Sequence, residues 1–150
     1  MSNSEGSGAA RRRRAQGVKA DRIQEIAGSL DPAIPNWVDD FVFEEVWGRP
    51  GLSYEQRQMV AIAVLAAGGH ATQLRLYLHG ALQDGVPGET LKEILLMLGV
   101  YCGFPVMFAA LFEWQRVLRE AGRPLQDSSS ASEPPGLPDA TGAVKEQEQP

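Results

Sequence analysis

Residues 53–69 read Ser-Tyr-Glu-Gln-Arg-Gln-Met-Val-Ala-Ile-Ala-Val-Leu-Ala-Ala-Gly-Gly. Ser53 followed three residues later by Gln56 is capping-box spacing, and Gly68-Gly69 supplies a stop. Between them Met59, Ile62, Ala63 and Ala66 recur at helical spacing, and Val60, Val64 and Leu65 cover much of the remaining circumference. The spacing predicts a helix over 54–67 that is apolar almost all round. Residues 91–112 have the same character. A surface helix keeps a polar face, and a core of about a hundred residues has little room for two fully buried helices. A homo-oligomer that covers the extra faces is the expected partner.

Outward from this stretch the chain continues in helical periods. Asp21 caps a short helix over 22–27. Asp31-Pro32 opens a second, with Ile34, Val38, Phe41, Val42 and Glu45 on one side, and Arg49-Pro50-Gly51 breaks the chain after it. Thr72 starts a helix striped by Leu74, Leu78, Ala81 and Leu82, closed by Asp84-Gly85. Residues 89–100 follow with Leu91, Ile94, Leu95 and Leu98, and a last helix runs from 105 to 121. No useful window alternates with period two, so the class is all-α.

The 150 residues suffice for one domain, and 43% hydrophobic with 22% charged is a globular mix. Residues 1–19 hold five basic side chains against one acidic, with almost no apolar bulk. Residues 123–150 hold two basic against five acidic and are rich in Pro and Ser. Both are expected to be disordered tails around a domain at 20–122, because neither buries enough surface to offset its ordering entropy. The net charge of −5 makes nucleic acid a poor partner. The Arg11–Arg14 run has no interleaved aromatics, so it reads as part of a solvated tail. No apolar stretch reaches the ~18–20 residues of a membrane span, and no apolar signal core follows the basic run; the expected location is cytoplasmic.

Few residues carry chemistry: Glu44-Glu45 beside Trp47 and Arg49, then Arg57, His70, Arg75, Tyr77, His79 and Tyr101-Cys102. One Cys and two His argue against a disulfide or a His/Cys zinc site, and no metal is expected. There is no Cys-x-x-Cys pair, Gly-rich phosphate loop or Gly-x-Ser-x-Gly elbow.

Three segments carry a resemblance. Glu45-Val46-Trp47-Gly48-Arg49-Pro50-Gly51-Leu52 leads to Arg57-Gln58-Met59-Val60; Leu74-Arg75-Leu76-Tyr77-Leu78-His79-Gly80-Ala81-Leu82-Gln83-Asp84-Gly85-Val86 follows. Then come Leu91-Lys92-Glu93-Ile94-Leu95-Leu96 and Val100-Tyr101-Cys102-Gly103-Phe104-Pro105. Together they resemble the carboxymuconolactone decarboxylase family across roughly 31–118. The resemblance implies an alkyl hydroperoxidase D-like helical bundle assembled as trimers or hexamers. It implies a cofactor-free lyase acting on a cyclic or enolisable carbonyl or lactone. The thiol mechanism of the peroxidase branch needs a Cys-x-x-Cys pair and is not available here.

The chain departs from the family's pattern in Gln83-Asp84-Gly85, where Asn-Asn-Gly is usual, in Tyr101-Cys102-Gly103, where Tyr-Ala-Gly is common, and at two positions within 75–79. Where decarboxylases carry Arg-x-His-x-Arg, Tyr77 stands for the histidine and His79 for the second arginine. A phenol donates to an oxyanion, but its ordinary pKa of about 10 makes it a weak base. Two residues along a helix turn through about 200°, so Tyr77 and His79 point to nearly opposite sides. The candidate catalytic residues are therefore Glu45 as acid or base, Tyr77 as donor to an enolate, and His79. Trp47, Arg49, Tyr101, Cys102 and Phe104 are the candidate substrate wall. The alternative is a non-catalytic oligomer binding a small ligand or a partner; Glu45 in that case pairs with Arg49, and Cys102 is a small buried hydrophobe.

Overall fold

The computed structural model describes residues Gly8–Gly122, which are helical with no strand among them. Helix α1 spans Gly8–Gln16 and α2 spans Ala20–Leu30. A single turn, α3, at Ala33–Asn36 runs directly into a π-helix at Trp37–Val46. Then come α4 (Tyr54–Ala67), α5 (Ala71–Gln83), α6 (Gly88–Tyr101) and α7 (Phe104–Glu120).

Helix α4 has the bounds its caps imply. Gln56 N donates to Ser53 Oγ at 3.1 Å, and Ser53 N donates back to Gln56 Oε1 at 2.9 Å. Helix α5 is the centre of the molecule: residues 76–82 are all buried, and α1, α4 and α7 pack around it. Leu78 and Ala81 meet Ile62 of α4, Leu91 and Leu95 of α6, and Val117 of α7 in one continuous core.

Besides Asp21, which lies inside α2 and binds Arg12 and Arg13 in place of capping a helix over 22–27, two expectations need correction. Residues 8–16, assigned from composition to a disordered tail, form a docked helix; the rest of that tail before Gly8, and the acidic one after Gly122, lie outside the described residues. What the sequence reading missed is how α1 packs. It uses ion pairs and close backbone approach in place of an apolar stripe. A Cβ on Gly80 would lie 2.1 Å from the Ala15 carbonyl oxygen, and one on Gly8 would lie 2.1 Å from that of Asp39. Glycine at both contacts lets α1 lie flat against α5 and the π-helix.

The second correction is the inward face of the segment before Arg49. An ordinary helix would turn Phe41 inward, yet Phe41 is exposed and Phe43 is 1% exposed. Val38 and Val42 of the expected face do pack against the core; the wider turn, seen where Trp47 N reaches back five residues to Val42 O at 2.9 Å, adds Phe43 and Trp47 to them in place of Phe41.

A candidate site beside an aromatic cluster

The π-helix delivers Trp47 into a cluster of rings. Its centroid lies 5.3 Å from Phe43, 5.7 Å from Tyr54 and 6.0 Å from Tyr77. Burial raises the pKa of Tyr77, opposed by a hydrogen bond from Gln16. Burial first, and then the Asp84 carboxylate, push the Tyr54 phenol up as well, with Arg14 opposing. Both phenols are protonated at neutral pH and are proton donors. The Tyr54 hydroxyl is buried without a hydrogen-bond partner.

Helix α1 closes this cluster from above. The Arg14 guanidinium carbon stands 3.6 Å over the Tyr54 ring centre, a cation–π contact. Its Nε donates to Asp84 Oδ1 at 2.8 Å, and its Nη2 lies 3.6 Å from Glu55 Oε1. The hydrogen bond to Asp84, helped by the neighbouring charges, raises the Arg14 pKa further, so it is always a cation.

Arg14 also lines a cavity of about 370 Å³ between α4 and the α5–α6 turn. Met59, Ile62, Val86 and Leu91 give it apolar walls, and Gln58, Asp84 and Glu55 add polar groups. This is the size range of small-ligand sites. Gln58 is 2% exposed. Its Nε2 donates to Ala15 O at 3.2 Å, while its Oε1 is buried with no partner.

The structure separates the other candidates. Tyr77 faces Trp47, while His79, on the far side of α5, meets Glu120 Oε2 at 2.8 Å and Lys19 Nζ at 3.3 Å. Lys19 also pairs with Glu120. His79 is 7% exposed and lies away from the cavity. Glu45 is exposed and makes no ion pair among the described residues. The acid that pairs is its neighbour Glu44, and the cation is Arg11 at 2.9 Å, not Arg49. Arg49 is exposed and its carbonyl accepts from Arg57 Nη2 at 2.6 Å. Tyr101, Cys102 and Phe104 lie on the surface of the single chain, so Cys102 is not the buried hydrophobe expected of it. Among the described residues no three His, Cys, Asp or Glu cluster as metal ligands. No described helix is long and apolar enough to cross a membrane.

Arg14, Tyr54, Gln58 and Asp84 were not singled out from the sequence. One signal was present. Successive helical residues turn by about 100°, so four consecutive arginines on a helix reach to all sides, and the chain behind them is acidic. Each finds an acid: Arg11 finds Glu44, Arg12 finds Asp21 and Asp39, Arg13 finds Asp21, and Arg14 finds Asp84.

Fold and cavity together define a small all-α protein with a ligand-sized site beside a cluster of buried phenols. Residues 32–116 match the sequence model of the carboxymuconolactone decarboxylase family. The 4-carboxymuconolactone decarboxylase of Acinetobacter baylyi is 38% identical over 102 residues, 68% of this chain and 76% of that protein. This chain belongs to the carboxymuconolactone decarboxylase family. Nitrosuccinic acid decarboxylase npaB of Metarhizium robertsii is 28% identical over 83 residues, covering 55% of this chain and 58% of that protein. Arg14 precedes the family match, so one wall of the cavity comes from outside it.

Proposed function

We propose that this chain is a decarboxylase-type enzyme acting on a small carboxylic acid with an enolisable carbonyl or lactone. The observation that carries the reading is the cavity of about 370 Å³, in which Arg14 joins apolar walls to the Tyr54 ring. The two decarboxylase-named relatives support the same reaction class.

The chemistry follows from the groups. The bond to the carboxyl carbon breaks, carbon dioxide leaves, and the electron pair passes into the substrate's own acceptor group, a conjugated carbonyl or, in nitrosuccinic acid, the nitro group. That group is the electron sink, so the step needs no cofactor. The resulting enolate is stabilised by a cation and by hydrogen-bond donors in a dry site. Arg14, in the cavity wall, is the cation; the proposed phenol donors, Tyr77 and Tyr54, come from the ring cluster that Arg14 covers and are not themselves part of the cavity lining. A proton then replaces the lost carboxyl on carbon.

Carbon dioxide release from 4-carboxymuconolactone and from nitrosuccinic acid tests the reading. The wild type is expected to turn over at least one, and Tyr77→Phe to lose about 10²-fold in kcat with its melting temperature retained. A Tyr77→Phe variant at full rate removes the phenol from the mechanism. Turnover by Tyr77→His alone means a cavity retuned for another acid. Silence from every variant favours a ligand-binding role without catalysis.

The chain is also proposed to act as a homo-oligomer. Val100, Tyr101, Phe104, Phe108 and Phe112 expose a large apolar surface along α6 and α7.

A further inference from the structure

The last turn of α1 stands where the cavity and the ring cluster adjoin. Arg14 belongs to both, lining the cavity and covering the Tyr54 ring. Ala15 O accepts from Gln58 Nε2 at 3.2 Å, and Gln16 hydrogen-bonds to Tyr77. This seal carries a cost. On the two α4 residues that the turn touches, the Tyr54 hydroxyl and Gln58 Oε1 are buried without a hydrogen-bond partner among the described residues. Each disfavours the closed arrangement until water or a ligand reaches it.

Little apolar contact opposes that cost, since Ala15 is the one α1 residue in the apolar core. The attachment to the rest of the fold is ionic: Arg11 to Glu44, Arg12 to Asp39, and Arg14 to Asp84 and Glu55. The Arg11 and Arg14 side chains are 35% and 47% exposed, so salt weakens their pairs. Behind the helix the chain is built to turn. Gly17 has φ +74°, a backbone region that favours glycine, and exposed Val18 follows it. Lys19 is then pinned to Glu120 and His79 on the far side of α5. Asp21, bound by Arg12 and Arg13, also lies on the hinge side.

We propose that α1 is a lid, hinged at Gly17 and latched by its arginines, whose opening gives the substrate access from the cavity to the phenols of Tyr54 and Tyr77. This rests on the reading of those phenols as the proton donors of a decarboxylase. Closure then returns Arg14 to the wall and excludes water from the ring cluster.

Two readouts on the full-length protein test the lid without using turnover. One is hydrogen exchange at the amides of residues 12–16, compared with those of 76–82 in the core of α5. The other is nitration of Tyr54 by tetranitromethane, followed by peptide mass spectrometry. Both are run at about 0.05 M and about 0.5 M sodium chloride, in wild type and in Glu44→Gln, which removes only the partner of Arg11. The higher salt is expected to speed exchange at 12–16 and nitration of Tyr54 together, by about three- to tenfold, with 76–82 unchanged. Glu44→Gln is expected to move both the same way at the lower salt. Exchange at 12–16 no faster than at 76–82 overturns the proposal, because α1 then opens only when the whole fold does. Nitration of Tyr54 that stays constant while 12–16 exchange faster also overturns it, because α1 then moves without uncovering the ring. The wild-type salt comparison decides the matter even if Glu44→Gln fails to fold. A fixed α1 in a protein that releases carbon dioxide sinks the lid and leaves the decarboxylase; a moving α1 in a protein that releases none does the reverse.

Discussion

Arg12 shows what a single charge does in this molecule. It is 3% exposed, and its Nε and Nη1 reach Asp39 at 2.7 Å and Asp21 at 2.9 Å. Burial alone would lower its pKa, but the two hydrogen-bonded acids outweigh that and raise it. Arg12→Met strands Asp39 and leaves Asp21 with Arg13 alone, and is expected to cost about 2–3 kcal/mol in urea unfolding. The same pairs set the acid limb of stability. Hydrogen bonds from Arg12 hold the Asp21 carboxyl below its usual range, and Lys19 with His79 holds that of Glu120 at about 2. A carboxyl whose pKa falls on folding stabilises the native state above its unfolded pKa and loses that contribution as pH falls through the folded value. Melting temperature should therefore decline from about pH 4.5 toward pH 2, and less steeply in Glu120→Gln. An identical decline in the variant would remove Glu120 from the account.

At the scale of elements, what could be read depended on where the signal lay. The capping box at Ser53 and the glycines at 68–69 mark α4 to the residue, and the leucine stripes of α5 and α6 mark those helices to within about one. Those signals are local. Helix α1 has none, since nothing in Gly8–Gln16 is both large and apolar; its reason to fold lies in acids scattered from Asp21 to Asp84. The π-helix escaped for a related reason: a helical period was counted where a wider one operates. The site follows the same division. Tyr77 beside Trp47 was legible through the motifs that carry both. Arg14 and Gln58 were not, because one lies in a segment read as tail and the other in a helix read as core. The seam between α1 and α5 offers a direct check. Gly80→Ala gains about 1 kcal/mol in helix propensity but drives a methyl group into the Ala15 carbonyl. The clash should win, leaving the variant less stable by about 2 kcal/mol or more. Trypsin should then cut at Arg11–Arg14 well before it does in wild type. Unchanged cleavage would mean that α1 is held by its ion pairs alone.

For the whole molecule, surface is the deciding quantity. Phe104, Phe108 and Phe112 recur every four residues along α7 and stay exposed, with Val100 and Tyr101 of α6 beside them. Such a stripe costs nothing only where it meets another apolar surface. Light scattering should give the wild type a mass of several chains. Phe108→Glu with Phe112→Glu should lower it to one, because burying two carboxylates there would be prohibitive. A wild-type mass of a single chain would leave the stripe without a second copy.

The ion pair between Arg14 and Asp84 spans 70 residues of sequence. Helix α1 is therefore made well before the helix it leans on. At ribosomal speeds of ~5–20 residues per second, it waits about 4–14 s for its partner acid to be synthesised. Four adjacent arginines with no acid among them do not hold a lone helix together during that interval. The wall that completes the cavity is thus made 70 residues ahead of the acid that sets it.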